Sequence, residues 1–313
     1  MRILITGAAG YLCQEAIAQL AARGHTLRLG DIVELKTEHE FVKCDVLNPD
    51  EVMAAAKGVD LVFHTVVGGG RNEPDTPEGR VRRASKHCAV TVMGTFNVLQ
   101  AAAELKVPKV VMVGSEAARG QRIRITFTEV CDEETPAKPD YVYAVAKYIM
   151  EIIAEYATRI DGVKTVVLRN GWFGAAQGKS VARMGETLLF QRSVTRKDLV
   201  RAAVLAIEND NLDHEVFLLS GATEFTKEDV PMLRTNPEQV IEKYYPGAAA
   251  LLKEYGANLE ALYASKDLWK IDDISKAERL LGWKPTFTFR DFYENLKAGQ
   301  YSKDYVFLEE ISS

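Results

Sequence analysis

The 313-residue chain is poor in cysteine, histidine and tryptophan, with four, five and three respectively. The cysteines (Cys13, Cys44, Cys88 and Cys131) are far apart and form no CxxC pair. Neither a disulfide framework nor a zinc site fits that spacing, and no metal site is expected; reduced, structural thiols in a cytoplasmic protein fit it. No apolar run approaches the roughly 18 residues that would cross a bilayer, so no membrane role is expected. The sequence also lacks a cationic excess. Its formal net charge is -5, which argues against nucleic acid as the main partner. Internal repeats and low-complexity segments are absent as well.

What is present is a sizeable apolar fraction, 47%, in a regular rhythm. "RILIT" (2–6), "TLRLGD" (26–31), "FVKCD" (41–45), "LVFHTV" (61–66), "KVVMVGS" (109–115) and "KTVVLRN" (164–170) read as buried strands. Helix-like segments with apolar residues at three- and four-residue spacing separate them. This alternation predicts an α/β fold, a Rossmann-type doubly wound parallel sheet with right-handed crossovers. Past Gly174 the rhythm loosens. "AAQGKSVARMGETLLFQRS" shows no clear period and reads as loop or lid. A helix near 196–209 and a strand "EVFLLS" follow, and then a mostly helical, aromatic-rich stretch. The expected organisation is residues 1–174 as the nucleotide domain, with 196–220 returning to it. Residues 175–313 form a smaller, mainly helical substrate lobe.

"TGAAGYLC" (6–13) joins the first strand to the first helix. Gly7 and Gly10 permit a tight turn and let backbone N–H groups approach a pyrophosphate at the positive helix end. A glycine pair alone also caps ordinary helices. Asp31, closing the second strand, adds a carboxylate at the spacing that meets ribose hydroxyls. No arginine stands next to it, so NAD is favoured over NADP. Asp45 is placed to meet the adenine amino group, or else to cap the helix of "NPDEVMAAA". Tyr11, Leu12, Val46 and His64 complete the expected cofactor-binding set, together with a lysine described next.

"YVYAVAK" sets Tyr143 and Lys147 four residues apart on one helical face. An ammonium near a phenol favours the phenolate. Tyr143 then serves as general acid/base, Lys147 as its pKa-lowering and cofactor-binding partner, and Ser115 as the group that aligns the substrate oxygen. Such a pair also occurs by chance on many helix surfaces.

These motifs in this order resemble an extended short-chain dehydrogenase/reductase of the NAD-dependent epimerase/dehydratase group. "TGAAGYLC" is similar to its TGxxGxxG turn, "TVMGTFNVLQAA" to its NVxGTxNVLEAA helix and "VGSEAARG" to its SSxxVYG stretch. "YAVAK" matches YxxxK, and "DISKAERLLGWKPTFTF" the closing segment. The resemblance implies a Rossmann fold, NAD, a Ser–Tyr–Lys group at Ser115, Tyr143 and Lys147, and a homodimer through two helices per subunit. Three positions depart from the pattern: Cys13 for the third glycine, Thr91 for asparagine and Gly114 for the first serine.

Within that resemblance, several features point to a uronate-dehydrogenase-like branch rather than a nucleotide-sugar enzyme. Trp172 stands where nucleotide-sugar epimerases carry the asparagine of R-x-x-N, with Asn170 shifted, and the following loop is short. Glu116 is followed by alanine, so the acid pair of the dehydratases is incomplete. Arg71, Arg80, Arg82, Arg83, Arg119, Arg122 and Arg124 cluster near the expected substrate, although each could equally lie on a solvated face. As a group they suggest an anionic sugar derivative such as a sugar acid. The expected substrate set is Gly69, Arg71, Glu116, Asn170, Trp172 and Arg183. The expected activity is NAD-dependent hydride transfer at a secondary alcohol or hemiacetal of a sugar or sugar acid. A (nucleotide-)sugar epimerase or dehydratase is the alternative, and a non-catalytic NAD-binding protein a third reading.

Overall fold

A computed structural model describes residues 1–68, 75–120, 130–173, 180–265 and 268–301. Gly69, Arg71, Arg122, Arg124 and residues 174–179, which include the first part of the expected loop at 175–193, therefore lie outside the described residues. The chain divides into two compact units. One comprises Met1–Ile123, Pro136–Arg169 and Val200–Phe217; the other comprises Arg124–Thr135, Asn170–Leu199 and Leu218–Ser313.

The main sheet is built from β1 (Arg2–Thr6), β2 (Thr26–Asp31), β3 (Glu40–Lys43), β4 (Leu61–His64) and β5 (Lys109–Val113). After the short β6 (Val130–Cys131), β7 (Lys164–Asn170) and β8 (His214–Leu219) complete it. Among the described residues the order is β3-β2-β1-β4-β5-β7-β8. The pairs β1–β2, β1–β4, β2–β3, β4–β5 and β5–β7 all run parallel. The strand order reverses between β1 and β4, and the crevice at their carboxyl ends is where such sheets receive ligands. Helices α1 (Tyr11–Ala22), α2 (Pro49–Ala56), α3 (Pro77–Lys86), α4 (Gly94–Glu104) and α5 (Val142–Tyr156) belong to the same unit.

A parallel sheet covered on both faces requires strands that are apolar on both sides. Val110, Val111 and Met112 of β5 and Val166, Val167 and Leu168 of β7 accordingly have no exposed surface. Val62, Leu99, Ala102 and Met150 join this aliphatic core. The alternative reading of Asp45, as the N-cap of α2, is not what the structure has. Asn48 caps α2, its Oδ1 accepting from the Asp50 and Glu51 N–H groups. Pro49 then fits the first helical position, where no donor is needed.

The other unit carries α6 (Val181–Leu189), most of it helical thereafter: α8 (Val230–Thr235), α9 (Pro237–Tyr244), α10 (Ala248–Glu254), α11 (Leu259–Ala264), α12 (Ser275–Leu281) and α13 (Phe289–Lys297). The intervening α7 (Arg196–Glu208) runs from one unit into the other in sequence. Strand β9 (Ile271–Asp272) pairs in parallel with β6. Helix α6 corrects the expectation of a structureless stretch. Ser180 caps it, accepting from the Arg183 N–H at 3.3 Å. Gly185 broke the pattern because close packing demands a glycine there. A Cβ would come within 2.5 Å of Leu252 Cδ2 and 2.7 Å of Phe292 Cε1.

Candidate active site

The turn after β1 is shaped for close approach. Gly7 has φ of +77°, and a Cβ there would sit 2.9 Å from Thr65 Oγ1. Its N–H donates to Gly30 O at 2.9 Å, and the Gly10 N–H donates to Gly7 O at 2.9 Å. Gly10 precedes α1 in an extended conformation and supplies no side-chain cap. The first turn of this twelve-residue helix has no side-chain cap, the arrangement that suits a pyrophosphate. Leu12 is buried beneath this turn, while Tyr11 opens the helix half-buried.

Cys13 occupies the place of a third glycine without opening the fold. It is fully buried, and its Sγ lies 3.2 Å from Thr65 Oγ1. Thr65 Oγ1 in turn donates to Thr6 O at 2.8 Å. Burial pushes the Cys13 thiol up to about 11, opposed only in part by the Thr65 hydrogen bond. It is a packed neutral thiol rather than a reactive one.

Asp31 stands at the end of β2 with its carboxylate turned to the glycine turn. Oδ2 accepts from the Ala9 N–H and Oδ1 from the Val33 N–H, both at 2.9 Å. A carboxylate has about four acceptor positions, so two such bonds fix its direction and leave capacity for a diol. Asp45 uses Oδ1 to hold the Leu47 N–H at 2.9 Å, and Val46 is buried with its carbonyl accepting from Asn97. The glycine turn, uncapped helix and oriented Asp31 fit the adenosine and pyrophosphate of NAD.

His64, at the end of β4, is committed to the interior. Nδ1 bonds Thr6 Oγ1 at 2.7 Å and Nε2 bonds Thr95 Oγ1 at 3.2 Å. Thr95 Oγ1 already donates its proton to Thr91 O. His64 must therefore donate from Nε2 and accept at Nδ1, a tautomer set by the network. Burial, aided by the Lys147 charge, drops its pKa to about 3. Both ring nitrogens are engaged within the fold.

The structure brings Ser115, Tyr143 and Lys147 together. Ser115 follows β5 and caps the turn Glu116–Arg119, accepting from the Ala117 N–H at 3.2 Å. The Ser115 hydroxyl is close enough to the Tyr143 phenol to lower its pKa. Lys147, one turn along α5, is fully enclosed and donates from Nζ to Val113 O at 2.6 Å. Burial lowers its pKa to about 8, although Glu151 pulls the other way. Tyr143 departs from expectation. Burial holds its phenol above the ordinary tyrosine value, with the Ser115 hydroxyl opposing the rise and the Glu116 carboxylate adding to it.

Around this group the charges are buried and paired. Glu116 lies 3.7 Å from Arg119, both nearly inaccessible. Glu151 forms a two-point ion pair with Arg169, at 3.0 Å to Nε and 2.8 Å to Nη2. Such an enclosed bidentate pair holds α5 to β7. Arg80 is a surface residue paired with Asp75. In the other unit, Asn170 is buried and donates to Gly171 O at 2.8 Å, Trp172 is partly exposed and bridges to Ser193, and Arg183 lies on the surface of α6 paired with Glu186.

One neighbour of Tyr143 carries no signal in the sequence. His87 begins a π-helical turn, His87–Met93, that links α3 to α4. Its ring meets Tyr143 at 5.4 Å between centroids, edge to face at 67°. The two are 56 positions apart (143 minus 87), and a lone histidine in a helical stretch gives no pattern that would join them. Among the described residues no cluster of three or more His, Cys, Asp or Glu could hold a metal ion. No described helix is long and apolar enough to cross a membrane.

A profile of the NAD dependent epimerase/dehydratase family matches residues 3–191. The uronate dehydrogenase of Pseudomonas syringae pv. tomato is 30% identical over 174 residues, 54% of this chain and 58% of that protein. The matched stretch is thus less than two thirds of that relative's length. The UDP-glucose 4-epimerase of Lactobacillus helveticus is 24% identical over 91% of this chain and 92% of its own. Among solved structures, a short-chain dehydrogenase/reductase superfamily protein from Agrobacterium tumefaciens with bound NAD superposes with a TM-score of 0.66. It is 18% identical and covers 96% of this chain and 97% of that one. At that identity the match establishes a shared fold.

Proposed function

The chain belongs to the NAD-dependent epimerase/dehydratase family, and from this premise we propose an NAD-dependent oxidoreductase acting on a secondary alcohol or hemiacetal of a sugar or sugar acid. The Ser115–Tyr143–Lys147 group carries the reading, since it sits in the same unit as the glycine turn and Asp31. In this reading residues 1–174 hold NAD and residues 175–313 mainly serve the substrate. NAD, when bound, accepts hydride from the carbon being oxidised. Tyr143 Oη takes the hydroxyl proton of that carbon, or returns it to a carbonyl in reverse. Ser115 Oγ holds the substrate oxygen against the phenol. Burial and Glu116 favour the protonated phenol, so Lys147 has to supply the positive charge that lets Tyr143 act as base. Asp31, with no arginine beside it, disfavours a 2′-phosphate and selects NAD over NADP.

The buried cations Arg119 and Lys147 and the uronate dehydrogenase relatives support an anionic substrate such as a sugar acid. Gly69, Arg71, Glu116, Asn170, Trp172 and Arg183 are the residues proposed to meet it. Exposed Met93 and Phe96, with Val145, Ile152 and Tyr156 along α5, form apolar rows that support a homodimer through these helices. The free cysteines support a reducing compartment, the cytoplasm. An epimerase that re-reduces its own intermediate is the second reading, favoured by the near full-length match to UDP-glucose 4-epimerase.

Absorbance at 340 nm with excess NAD separates the two. A panel of D-glucuronate, D-galacturonate, neutral aldoses and UDP-sugars is expected to give steady NADH accumulation with a free sugar or sugar acid. Product formation from a UDP-sugar without net NADH would establish the epimerase instead.

A further inference from the structure

His87 is unexplained by the fold. Its Nδ1 is buried and has no hydrogen-bond partner, although buried polar atoms are nearly always paired. The ring is only partly covered and rests edge to face on Tyr143. Tyr143 is itself packed between His87 and Tyr141, whose ring stacks at 6.0 Å and 28°. The backbone that carries His87 is equally unusual. Seven residues of π-helix interrupt the run from α3 to α4, and such segments occur mostly at functional sites because they redirect side chains that an α-helix would point elsewhere. Gly68 packs against this turn: a Cβ there would run into Lys86 O and lie 3.0 Å from His87 Cα. Gly68 is therefore held directly against His87.

The charges facing the ring are Lys147 from α5 and Arg83 from α3, and together with burial they disfavour the imidazolium. A neutral imidazole offers one donor and one acceptor nitrogen, the pair that matches a hydroxyl group. The cationic neighbours favour an anionic ligand close by.

We propose that His87 is a substrate-binding residue of this site, its Nδ1 hydrogen-bonding an oxygen of a carboxylate-bearing sugar whose reacting carbon lies at Tyr143. The assignment rests on the oxidoreductase reading above and adds to it a specificity contact that the catalytic group does not provide. The lone nitrogen acquires its partner only when the sugar acid is bound. Tyr143 and His87 then read adjacent parts of one ligand, the first the oxygen that changes oxidation state and the second an oxygen that does not.

The test uses the full chain with saturating NAD and D-glucuronate as probe. In His87→Asn the amide falls near the position of Nδ1, in His87→Gln near Nε2, and His87→Phe keeps the ring contact while removing both nitrogens. Loss of one hydrogen bond of this kind corresponds to about tenfold in affinity. The KM for D-glucuronate is expected to rise about tenfold in His87→Phe and His87→Gln, with His87→Asn recovering most of the loss. The Kd for NAD is expected to stay within about twofold and reports that each variant is folded. A KM within about twofold of wild type in His87→Phe overturns the proposal, as does rescue by Gln and not by Asn. Failure of wild-type enzyme to oxidise D-glucuronate overturns it as well. In that case the oxidoreductase reading stands if another sugar of the panel gives NADH that depends on Tyr143, and falls if none does.

Discussion

The two units bury different chemistry. Around the parallel sheet the core is aliphatic and small: Val62, Val98, Val110, Val167, Ala55 and Ala102. In the other unit it is aromatic, with Phe190, Trp269, Phe225, Tyr245, Phe289 and Phe292 in a chain of ring contacts 4.7 to 6.4 Å between centroids. Strands 4.8 Å apart accept β-branched residues side by side. Short helices leave wider, irregular gaps, which large rings fill. The buried polar groups differ in the same way. Ser220, Gln191 and Asp272 of the second unit bond one another: Ser220 Oγ to Asp272 Oδ2 at 2.8 Å, and the Asp272 N–H to Gln191 Oε1 at 2.8 Å. Lys270 also pairs with Asp272. In the first unit Lys147 is buried and Tyr143 half-buried, each with its charged form disfavoured. One unit spends its buried polarity on holding itself together; the other keeps titratable groups under strain, as reactive sites do.

Four substitutions test that contrast. Lys147→Met strikes the strained group and is expected to lower turnover by about a hundredfold or more, the usual scale of acid–base assistance. The same variant has a pH signature. The folded pKa of Lys147, about 8 against 10.5 for the free side chain, means the folded state releases its proton first. Its contribution to stability is therefore fully present above pH 10.5 and lost as pH falls through 8. Thermal melts should show wild type gaining on Lys147→Met between pH 8 and pH 10; a constant difference would mean that the lysine is not desolvated. Phe292→Ala strikes the aromatic core and is expected to cost about 3–5 kcal/mol in denaturant unfolding. A loss under about 1 kcal/mol would show the second unit to be loosely packed.

His64 sharpens the contrast from inside the first unit. Its folded pKa is about 3 against 6.5 unfolded, so it stabilises the fold above pH 6.5 and that contribution is lost as pH falls toward 3. His64→Gln should flatten the fall in melting temperature between pH 6.5 and pH 4, and an unchanged slope would place the acid sensitivity elsewhere. The smallest effect is expected of Cys13→Gly. The thiol packs against the Thr65 hydroxyl, so the Kd for NAD by calorimetry should move by less than about threefold. A larger change would give Cys13 a role at the cofactor.

The sheet was legible because strands buried on both faces must be continuous apolar runs, and β1, β2 and β7 fall where the runs do. The turn at Gly7 and the Tyr143–Lys147 spacing were legible for the same reason: each is local, set within a few residues. Helix α6 was hidden because Gly185 is dictated by Leu252 and Phe292, more than sixty positions away. The upward shift of Tyr143 was hidden likewise, since it comes from burial and from Glu116 on another element. His87 reaches Tyr143 only through a π-helical turn that no spacing rule announces.

The central claim is that Tyr143 moves the proton while the glycine turn and Asp31 hold the cofactor. Tyr143→Phe separates these in one pair of readings: calorimetric NAD binding, and NADH formation at 340 nm with the sugar that wild type oxidises. The account predicts a Kd for NAD within about twofold of wild type and turnover reduced by a hundredfold or more. Turnover retained within a few-fold would contradict it.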